Sequence, residues 1–450
     1  MYDIVFCSAR VVDTLHKTSC IANVAVQNGK IAAISTNTLC AKREIDAAGL
    51  VLSPGFVDVH SHIDGNAYAS RLSVLQGITT SLGGNCGLSA LRTGEYLKKR
   101  EKQGPLLNEA MLVGHSFTLR RAVGLCDVDQ KATQSQLAAM ERIARDNLAE
   151  GAYGISLGLD YSPGAGLPEI DGMAALAAET GRVLSVHTRL FTQNDLFSIY
   201  EILAAGKKSG ARLLFSHFVY QYSGFGTMRP ALDIMDEARR KGMDVWMDSG
   251  MYTDWATYIG TATFDMQTLL DNSLRFGSMV VATGKYTGQR LHKDLYALLR
   301  TKYPDESVIC FSGTPDEVLE TIAKPYAMPS TDAGIYAKHE GHPQIAGSFP
   351  KYIRKTVREK GLLSLEEAVY KATLLPCTVY DIPNKGRIAE GYDADIVLFS
   401  LEKIRDNAHF PGEGYPDTAP TGIPYVMING VLAVDGGKFT NAKSGKLLTK

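Results

Sequence analysis

Short apolar segments alternate with amphipathic stretches along most of this chain, and this alternation restricts the fold more than any other feature. Eight segments have the length and apolar character of buried strands: Gly55–His60, Ile78–Gly83, Ala110–Gly114, Gly154–Gly158, Leu184–His187, Leu213–His217, Asp244–Asp248 and a less regular one that ends at Ser330. Stretches such as Gln134–Ala149 and Asp195–Lys207 have the periodicity of crossover helices. Strands that alternate with helices indicate parallel β/α architecture. Because eight strands close a barrel, the sequence predicts an α/β fold of the (β/α)8, TIM-like type.

The two ends of the chain follow a different pattern of short strands and tight turns. The predicted strands are Ile4–Val12, Val24–Gln27 and Lys30–Ser35 at one end, and Ala394–Ser400, Tyr425–Ile428 and Val431–Val434 at the other. Asn28-Gly29 and Asn429-Gly430 are each a strong signal for a two-residue hairpin. We therefore expect the two ends to build one small β-sandwich domain together.

These patterns divide the chain into three parts. Residues 1–53 and 385–450 are predicted to form the small β domain, and residues 54–384 the barrel. The stretch from about 260 to 325 fits the barrel pattern poorly. We expect it to be an insertion over the active face, where lids often occur.

The charge of the chain is almost balanced, since 47 basic and 48 acidic side chains give a formal net charge of -1 among 450 residues. This leaves no broad electrostatic surface for nucleic acid or an anionic membrane, and a small-molecule substrate fits better. The first residues lack the basic and apolar regions of a signal peptide, and no segment reaches about 18 uninterrupted apolar residues. We therefore expect a cytoplasmic protein. The sequence leaves its oligomeric state open.

Four histidines stand at the predicted C-terminal ends of three barrel strands. His60 and His62 end the first strand, His187 the fifth and His217 the sixth. Side chains at positions i and i+2 of a strand point to the same side, so His60 and His62 can reach one ion. Enzymes with this barrel carry their chemistry at these strand ends. One histidine after an apolar run is common, but four at the same end of a barrel predict a metal site.

Two further side chains suit the same site. Cys86 lies in Gly84-Asn85-Cys86-Gly87, where the glycines let a ligand approach closely, and the chain has no Cys-x-x-Cys pair of a structural zinc ribbon. Asp332 follows the eighth strand. Thiolate together with imidazole selects zinc over magnesium or calcium. His115 ends the third strand, and we expect it to face the site as a group that contacts substrate rather than metal.

Several longer motifs, in order along nearly the whole chain, resemble those of one family. They are Ser53-Pro54-Gly55-Phe56-Val57-Asp58-Val59-His60-Ser61-His62, Gln76-Gly77-Ile78-Thr79-Thr80, Gly84-Asn85-Cys86-Gly87-Leu88-Ser89, Val113-Gly114-His115, the run from Gly154 to Gly164, Gly341-His342-Pro343, Gly347-Ser348-Phe349-Pro350 and Ala394-Asp395-Ile396-Val397. They look like the motifs of N-acyl-D-amino-acid deacylases, or D-aminoacylases, of the amidohydrolase superfamily. Gly-Asn-Cys-Gly is the selective one, because most relatives use a carboxylated lysine in place of the cysteine.

The resemblance implies zinc-dependent hydrolysis of a linear amide. The implied ligands are Cys86, His187 and His217 for a tight zinc, and His60, His62 and Asp332 for a second, weaker metal site. The family aspartate is also the base, which implies that role for Asp332. In such a mechanism zinc lowers the pKa of the attacking water toward about 7 and polarises the scissile carbonyl, while Asp332 takes a proton and returns it to the leaving amine.

The substrate side of the resemblance is less complete. Tyr161 matches a family tyrosine of the substrate pocket, and Arg189 also matches the family pattern. The family has a lysine after the sixth-strand histidine, Tyr-Pro-Tyr after the seventh-strand aspartate and an arginine after His-Pro. This chain has Val219, Gly250-Met251-Tyr252 and Gln344 at these places. Since those family residues hold the substrate's α-carboxylate, the resemblance implies intact metal chemistry but an atypical amine half, with Gln344 in the substrate pocket.

Other interpretations of the site remain open. The amine half could be neutral, or its acid group could be held elsewhere by Arg189, Lys285 or Lys338. A cyclic-amide hydrolase or a deaminase on the same barrel is disfavoured by Cys86 and by the absence of an evident barrel lysine for carboxylation. A non-catalytic binding protein on a retired enzyme scaffold would have lost a ligand or the base, and none is missing.

Overall fold

Eight parallel strands form the centre of the fold in the computed structural model, which describes residues 1–189 and 196–450. The barrel strands in these ranges are Phe56–Asp58, Ile78–Gly83, Asn108–Gly114, Gly154–Gly158, Val183–His187, Arg212–Phe215, Val245–Ser249 and Ala327–Pro329. Each strand pairs with the next along the chain. The first and eighth strands meet just beyond the ends of this sheet. Asp332 N–H donates to the His60 carbonyl and His62 N–H donates to the Ala333 carbonyl, each at a distance of 2.8 Å. The predicted (β/α)8 barrel is confirmed.

Helices connect the strands. In the described ranges they are Ala67–Leu75, Thr93–Gln103, Arg120–Ala122, Gln134–Ala149, Leu167–Glu179, Phe197–Ser209, Phe218–Tyr222, Met228–Arg240, Met266–Asp271, Lys293–Lys302, Pro315–Ala323, Gln344–Ile353, Leu365–Ala372 and Leu374–Tyr380. Short 3-10 and π segments lie at Leu159–Tyr161, Ala262–Phe264, Phe276–Ser278, Gly284–Tyr286, His115–Leu119 and Arg354–Glu359. Helix Gln134–Ala149 has the predicted bounds and begins after Thr133, whose hydroxyl accepts from Gln136 N–H. The helix predicted over Asp195–Lys207 runs over Phe197–Ser209, and Asp195 lies outside the described residues. Among the helices described, none has the length and apolar character needed to cross a bilayer.

Strands from both ends of the chain are hydrogen-bonded in one mixed sheet. In the described ranges they are Tyr2–Asp13, Thr18–Gln27, Lys30–Ser35, Ala41–Asp46, Val51–Pro54, Ile396–Phe399, Tyr425–Ile428, Val431–Asp435 and Lys438–Phe439. Val51–Pro54 pairs antiparallel with Ile396–Phe399 and so joins the two ends. Both residues of Asn28-Gly29 and of Asn429-Gly430 have positive φ, the geometry of a type I′ hairpin turn. The predicted β domain made from both termini is confirmed.

A third, antiparallel sheet interrupts the barrel between its seventh and eighth strands. Its strands in the described ranges are Asp254–Tyr258, Met279–Val281 and Ser307–Phe311. The sequence predicts the insertion over about 260–325, whereas this sheet begins at Asp254 and ends at Phe311. The bounds differ because helix Pro315–Ala323 packs Val318 and Ile322 into the barrel core, as a crossover helix does. The division of the chain at residues 53/54 and 384/385 stays a prediction.

A buried ion pair lies where the β domain meets the barrel. The carboxylate of Asp395 accepts hydrogen bonds from Lys385 Nζ at 2.6 Å, Asn108 Nδ2 at 2.8 Å and Asn429 N–H at 2.7 Å. Asn108 is the first residue of the third barrel strand, so the contact lies at the barrel end opposite the histidines. The side chains of Lys385 and Asp395 are only 2% and 4% exposed. Each charge therefore depends on its partner rather than on water.

Lys385→Met is expected to lower the free energy of unfolding by about 3–5 kcal/mol, because it leaves the Asp395 charge buried without a counter-charge. Lys208→Met is the matched control. Lys208 pairs with Asp171 at 2.7 Å but is 72% exposed, and such exposed pairs contribute about 0–1 kcal/mol. Urea denaturation followed by circular dichroism measures both losses. Equal losses in the two variants would contradict the stabilising role of the buried pair.

Candidate metal centre

Cys86 lies at the centre of the histidine cluster. It follows the second barrel strand and has a positive φ of 50°, a left-handed conformation that costs a non-glycine residue about 1–2 kcal/mol. Its Sγ is 3.3 Å from His60 Nε2, 3.5 Å from His187 Nδ1 and 3.5 Å from His217 Nε2. Strained residues of this kind cluster at functional sites, where the surrounding structure holds them in place. The loop thus aims one thiol at three imidazoles.

The Cys86 thiol is poised to ionise. Burial opposes the charge, but the neighbouring imidazoles, first His60 and then His217, hold the pKa of the thiol well below its ordinary value. Burial also opposes protonation of His187, yet Asp160 and the Cys86 thiolate raise the pKa of this imidazole to about 9. The thiolate is the form of cysteine that binds metal. The electrostatics of the cluster therefore favour the ligand form of Cys86.

A second group of ligand atoms adjoins the first. The Asp332 carboxylate is 3.4 Å from His62 Nε2 and 3.5 Å from His60 Nε2. The ligand atoms of His60, Cys86 and His217 lie within 4.8 Å of one another, and so do those of His60, His62 and Asp332. Burial raises the pKa of Asp332, but the His62 hydrogen bond and the charges of His217 and His60 outweigh it and lower that pKa. All six residues singled out as ligands therefore meet in one cluster.

The carboxylates of Asp248 and Asp160 orient the histidines of the cluster. Neither was predicted as a site residue from the sequence. Asp248 accepts from His60 Nδ1 at 3.2 Å and from His217 N–H at 2.9 Å. Asp160 Oδ2 lies 3.4 Å from His187 Nε2. A carboxylate at one ring nitrogen fixes the imidazole so that the other nitrogen faces a metal. The signal that could have identified Asp248 is its position near the C-terminal end of a barrel strand.

Asp58 joins the two loops that carry the second group. Its carboxylate accepts from the Thr331 hydroxyl at 2.6 Å, from Thr331 N–H at 3.0 Å and from His60 N–H at 3.3 Å. Burial raises the pKa of Asp58 to about 7, against the effect of these hydrogen bonds. Because Thr331 precedes Asp332, Asp58 sets the position of the aspartate relative to the histidine pair. An acidic residue inside an otherwise apolar strand was the available signal.

The cluster opens onto a cavity of about 840 Å³. Tyr161 lines this cavity, with its ring centre 4.9 Å from that of His187 and its hydroxyl 3.3 Å from the Thr257 hydroxyl. Thr257 belongs to the inserted sheet, and further residues from the insertion line the same cavity, among them Trp255 and Glu306. Tyr161 therefore lies in the cavity wall, between the metal cluster and the insertion, and its contact with substrate stays a prediction.

Two residues expected to contact substrate lie behind the cavity wall. Neither His115 nor Gln344 is among the residues that line the cavity in the described ranges. His115 is buried, with Nε2 3.1 Å from the Glu169 carboxylate, because the chain turns into a π-helical segment at this residue. Gln344 Nε2 donates to the Asp332 carbonyl at 2.5 Å. Gln344 thus lies behind Asp332, which itself lines the cavity.

Arg189 also lies outside the cavity wall in the part of the chain that the structure describes. Its Nε donates to Glu201 Oε2 at 2.9 Å, and its two terminal nitrogens donate to the carbonyls of Pro163, at 3.0 Å, and Ala165. The Arg189 side chain is only 5% exposed. Through these contacts Arg189 connects the segment after the fourth strand to helix Phe197–Ser209.

Comparisons with known proteins agree on one family. A model described as the amidohydrolase family matches residues 43–272, about half of the chain, and a second with the same description matches residues 320–433. An N-acyl-D-glutamate deacylase from Alcaligenes xylosoxydans xylosoxydans is 31% identical over 95% of this chain and 93% of its own length.

Two solved structures are similar over 100% of both chains. One is a D-aminoacylase with a binuclear metal centre, at 28% identity and a TM-score of 0.89. The other is N-acyl-D-glutamate deacylase from Bordetella bronchiseptica, complexed with zinc and a phosphonate inhibitor, at 27% identity and a TM-score of 0.87. The extent of the family match and the identity over almost the full length show that the chain belongs to the amidohydrolase family.

Proposed function

We propose that this protein hydrolyses linear amides with zinc, in the manner of the N-acyl-D-amino-acid deacylases. The observation that carries the proposal is the Cys86 thiol, which lies within 3.5 Å of nitrogens from His60, His187 and His217. One thiolate among several imidazoles is a donor set that suits zinc. The similar deacylase from Bordetella bronchiseptica is complexed with zinc, which supports the same metal here.

Two metal positions fit the donor atoms. Following the resemblance to the deacylases, we assign Cys86, His187 and His217 to a tight zinc, with Cys86 Sγ 3.5 Å from a nitrogen of each histidine. We assign His60, His62 and Asp332, whose ligand atoms lie within 4.8 Å of one another, to a second, weaker site. His60 and His187 each turn one nitrogen to Cys86 and the other to a carboxylate, an arrangement that fits ligation. When bound, zinc polarises the scissile carbonyl and lowers the pKa of the attacking water.

Asp332 is the group that moves the proton. Its lowered pKa keeps the carboxylate ionised at neutral pH, so it can accept a proton from the attacking water. The water oxygen then forms a bond to the carbonyl carbon, and the amide carbon–nitrogen bond breaks when Asp332 returns the proton to the leaving nitrogen. The hydrogen bond from Asp332 N–H to the His60 carbonyl holds the base beside the histidines.

Tyr161 is suited to orient the scissile amide. Burial and the neighbouring Cys86 charge raise the pKa of its phenol well above the ordinary value, so the hydroxyl stays protonated. A protonated hydroxyl in the cavity can donate to the substrate carbonyl oxygen as negative charge develops on it. Hydrolysis of cyclic amides and deamination remain the alternatives. No lysine lines the cavity in the described part of the chain, so Cys86 has no carboxylated lysine beside it.

The test combines elemental analysis with a panel of amides. Purified protein is expected to hold about one tightly bound zinc per chain and to hydrolyse N-acyl amines or N-acyl amino acids faster than hydantoins and dihydropyrimidines. Chelation is expected to abolish turnover, and added zinc to restore it. Unchanged turnover by metal-free protein, or faster turnover of the cyclic amides, would contradict the proposal. The cytoplasmic location stays a prediction from the sequence.

A further inference from the structure

We propose that the amine half of the substrate carries a hydrogen-bond donor beside the scissile bond, in place of a carboxylate, and a positive charge further out. The inference rests on the proposed function and names the substrate class of the same site. Two independent features carry it. One is the direction in which the Tyr220 hydroxyl donates its hydrogen bond. The other is a set of carboxylates on the side of the cavity where the amine half leaves.

The position of the amine half follows from the proton that it must receive. Asp332 returns this proton, so the leaving nitrogen has to lie next to Asp332. Gln344 adjoins the backbone of the same residue, and Tyr220 adjoins Gln344, because Gln344 Nε2 donates to the Asp332 carbonyl at 2.5 Å and the Tyr220 hydroxyl donates to Gln344 Oε1 at 3.2 Å. Tyr220 lines the cavity and is 6% exposed. The Tyr220 oxygen therefore belongs to the amine side of the cavity.

The polarity of this chain of contacts can run in only one direction. The Asp332 carbonyl only accepts hydrogen bonds, so the amide nitrogen of Gln344 has to face it and the amide oxygen faces Tyr220. Tyr220 must then give its proton to Gln344. The Tyr220 oxygen can then only accept a hydrogen bond from a ligand, through its lone pairs. A carboxylate also only accepts hydrogen bonds, so this oxygen selects a donor such as a carboxamide N–H.

The residues around Tyr220 leave space for its ring and hydroxyl. A Cβ atom at position 250 would overlap the Tyr220 hydroxyl, so Gly250 gives the ring its place. Val219 is 0% exposed and packs in the barrel core, where it contributes nothing to the cavity. Two of the departures from the deacylase pattern, at positions 250 and 344, thus meet at Tyr220: the glycine makes room for the tyrosine, and the glutamine accepts its hydrogen bond.

Carboxylates dominate the cavity lining. Among the described residues that line it, six are Asp or Glu and one, Arg121, is a permanent cation. Glu306 accepts from the Thr283 hydroxyl and Glu340 from Gly284 N–H at 3.1 Å, so the two carboxylates bind consecutive residues. Asp305 lines the cavity next to Glu306. Within the described ranges, no basic side chain comes within 4.0 Å of these three carboxylates to form an ion pair.

We place these carboxylates on the Asp332 side of the cavity from the connections of the chain. Glu340 belongs to the segment that follows Asp332, and Gly341 N–H fastens this segment to the insertion through the Ala282 carbonyl at 2.8 Å. Arg121 belongs to another wall, since its guanidinium stands 5.4 Å from the Phe117 ring centre. An amine half that extends past Asp332 therefore meets negative charge, and an ammonium group satisfies it.

The cations that could hold a displaced acid group do not meet this side of the cavity. Arg189 is buried among Glu201 and two backbone carbonyls. Lys285 and Lys338 are exposed, and neither is among the residues that line the cavity in the part of the chain described. An acid group on the amine half would therefore face acceptors and carboxylates without a counter-charge.

Three compounds that share one skeleton test the inference. Nα-acetyl-D-norleucine carries the carboxylate, Nα-acetyl-D-norleucinamide replaces it with a donor, and Nα-acetyl-D-lysinamide adds an ammonium group. We expect kcat/KM of the zinc-loaded protein to rise about two- to tenfold when the carboxamide replaces the carboxylate, the size of one neutral hydrogen bond. Adding the ammonium group is expected to raise it by at least about tenfold, the size of one hydrogen bond to a charged group. The L-enantiomers and longer acyl groups run in parallel, since neither stereochemistry nor acyl length enters the argument.

Variants separate the two features. Tyr220→Phe is expected to reduce the preference for norleucinamide over norleucine, because it removes the acceptor. Glu306→Gln and Glu340→Gln are expected to reduce the preference for lysinamide over norleucinamide several-fold. The matched control is Glu141→Gln, on an exposed helix face outside the cavity, which is expected to leave both ratios unchanged.

Each outcome decides one question. Fastest turnover of Nα-acetyl-D-norleucine would overturn the inference and leave the proposed function standing. Preferences that survive Tyr220→Phe and both glutamate variants would also overturn it, since the named groups would not be their source. Hydrolysis of none of the three compounds, in either enantiomer, would overturn the proposed function itself.

Discussion

Cys86→Ala is expected to abolish both zinc retention and amide hydrolysis. The thiol lies within 3.5 Å of nitrogens of His60, His187 and His217, so its removal takes away the shared donor of the proposed tight site. Mutation of a residue that only orients a metal ligand typically costs about 10- to 100-fold in metal affinity or activity. Loss of the ligand itself should exceed that range. Elemental analysis and kcat/KM on the same preparation measure the two effects.

Cys377→Ala is the matched control for this variant. Cys377 is also buried, at 3% exposed, but packs in an apolar cluster among residues such as Tyr380 and Ile382 rather than among histidines. Its substitution should cost some stability and leave zinc content and turnover intact. Circular dichroism establishes that both variants are folded. Zinc retained at the level of the unchanged protein in Cys86→Ala would refute the assigned ligand set.

The barrel was largely predictable because its signals are local. Strands Ile78–Gly83 and Gly154–Gly158 have the bounds expected from their apolar runs, and helix Gln134–Ala149 has the bounds expected from its periodicity and cap. The Asn-Gly turns lie where two positive φ values are needed. The insertion was predicted less well. Its sheet pairs strands separated by long loops, and no local pattern specifies such pairing.

The candidate metal cluster was predictable for a different reason. Strand-end residues of one barrel converge in space, so His60, His187 and His217 could be placed together without knowledge of their side-chain geometry. The sequence could not show which groups stand behind them. Asp248 reaches His60 and His217 from the seventh strand, and only the closed barrel brings these strands together.

The substrate side was the hardest part to predict, because it depends on the direction of hydrogen bonds. Arg189 matched the family pattern, yet its guanidinium is occupied by Glu201 and backbone carbonyls. The exchange of residues at Gly250 and Gln344 looked like a loss from the sequence alone. In the structure the same exchange makes room for Tyr220 and fixes which way its hydroxyl donates. Such compensation arises from packing between distant strands.

Asp332→Asn is expected to keep the fold and the tight zinc while kcat falls about 10²–10⁴-fold, the usual contribution of a general base. The amide cannot take the proton from the attacking water, because its oxygen is a far weaker base than a carboxylate. Asparagine is a cleaner substitution than alanine at this position. Asp332 has a positive φ of 51°, and asparagine tolerates that conformation better than most residues.

The readout of this variant separates a base from a structural residue. A residue that acts in the transition state lowers kcat and kcat/KM together, whereas one that only holds substrate raises KM. Asp316→Asn, at an exposed position on helix Pro315–Ala323, is the control for the loss of one negative charge. Zinc content shows whether the tight site survives, since Cys86, His187 and His217 remain. If Asp332→Asn holds its zinc and keeps most of its kcat, the proton must pass through a different group, and the assignment of Asp332 as the base is wrong.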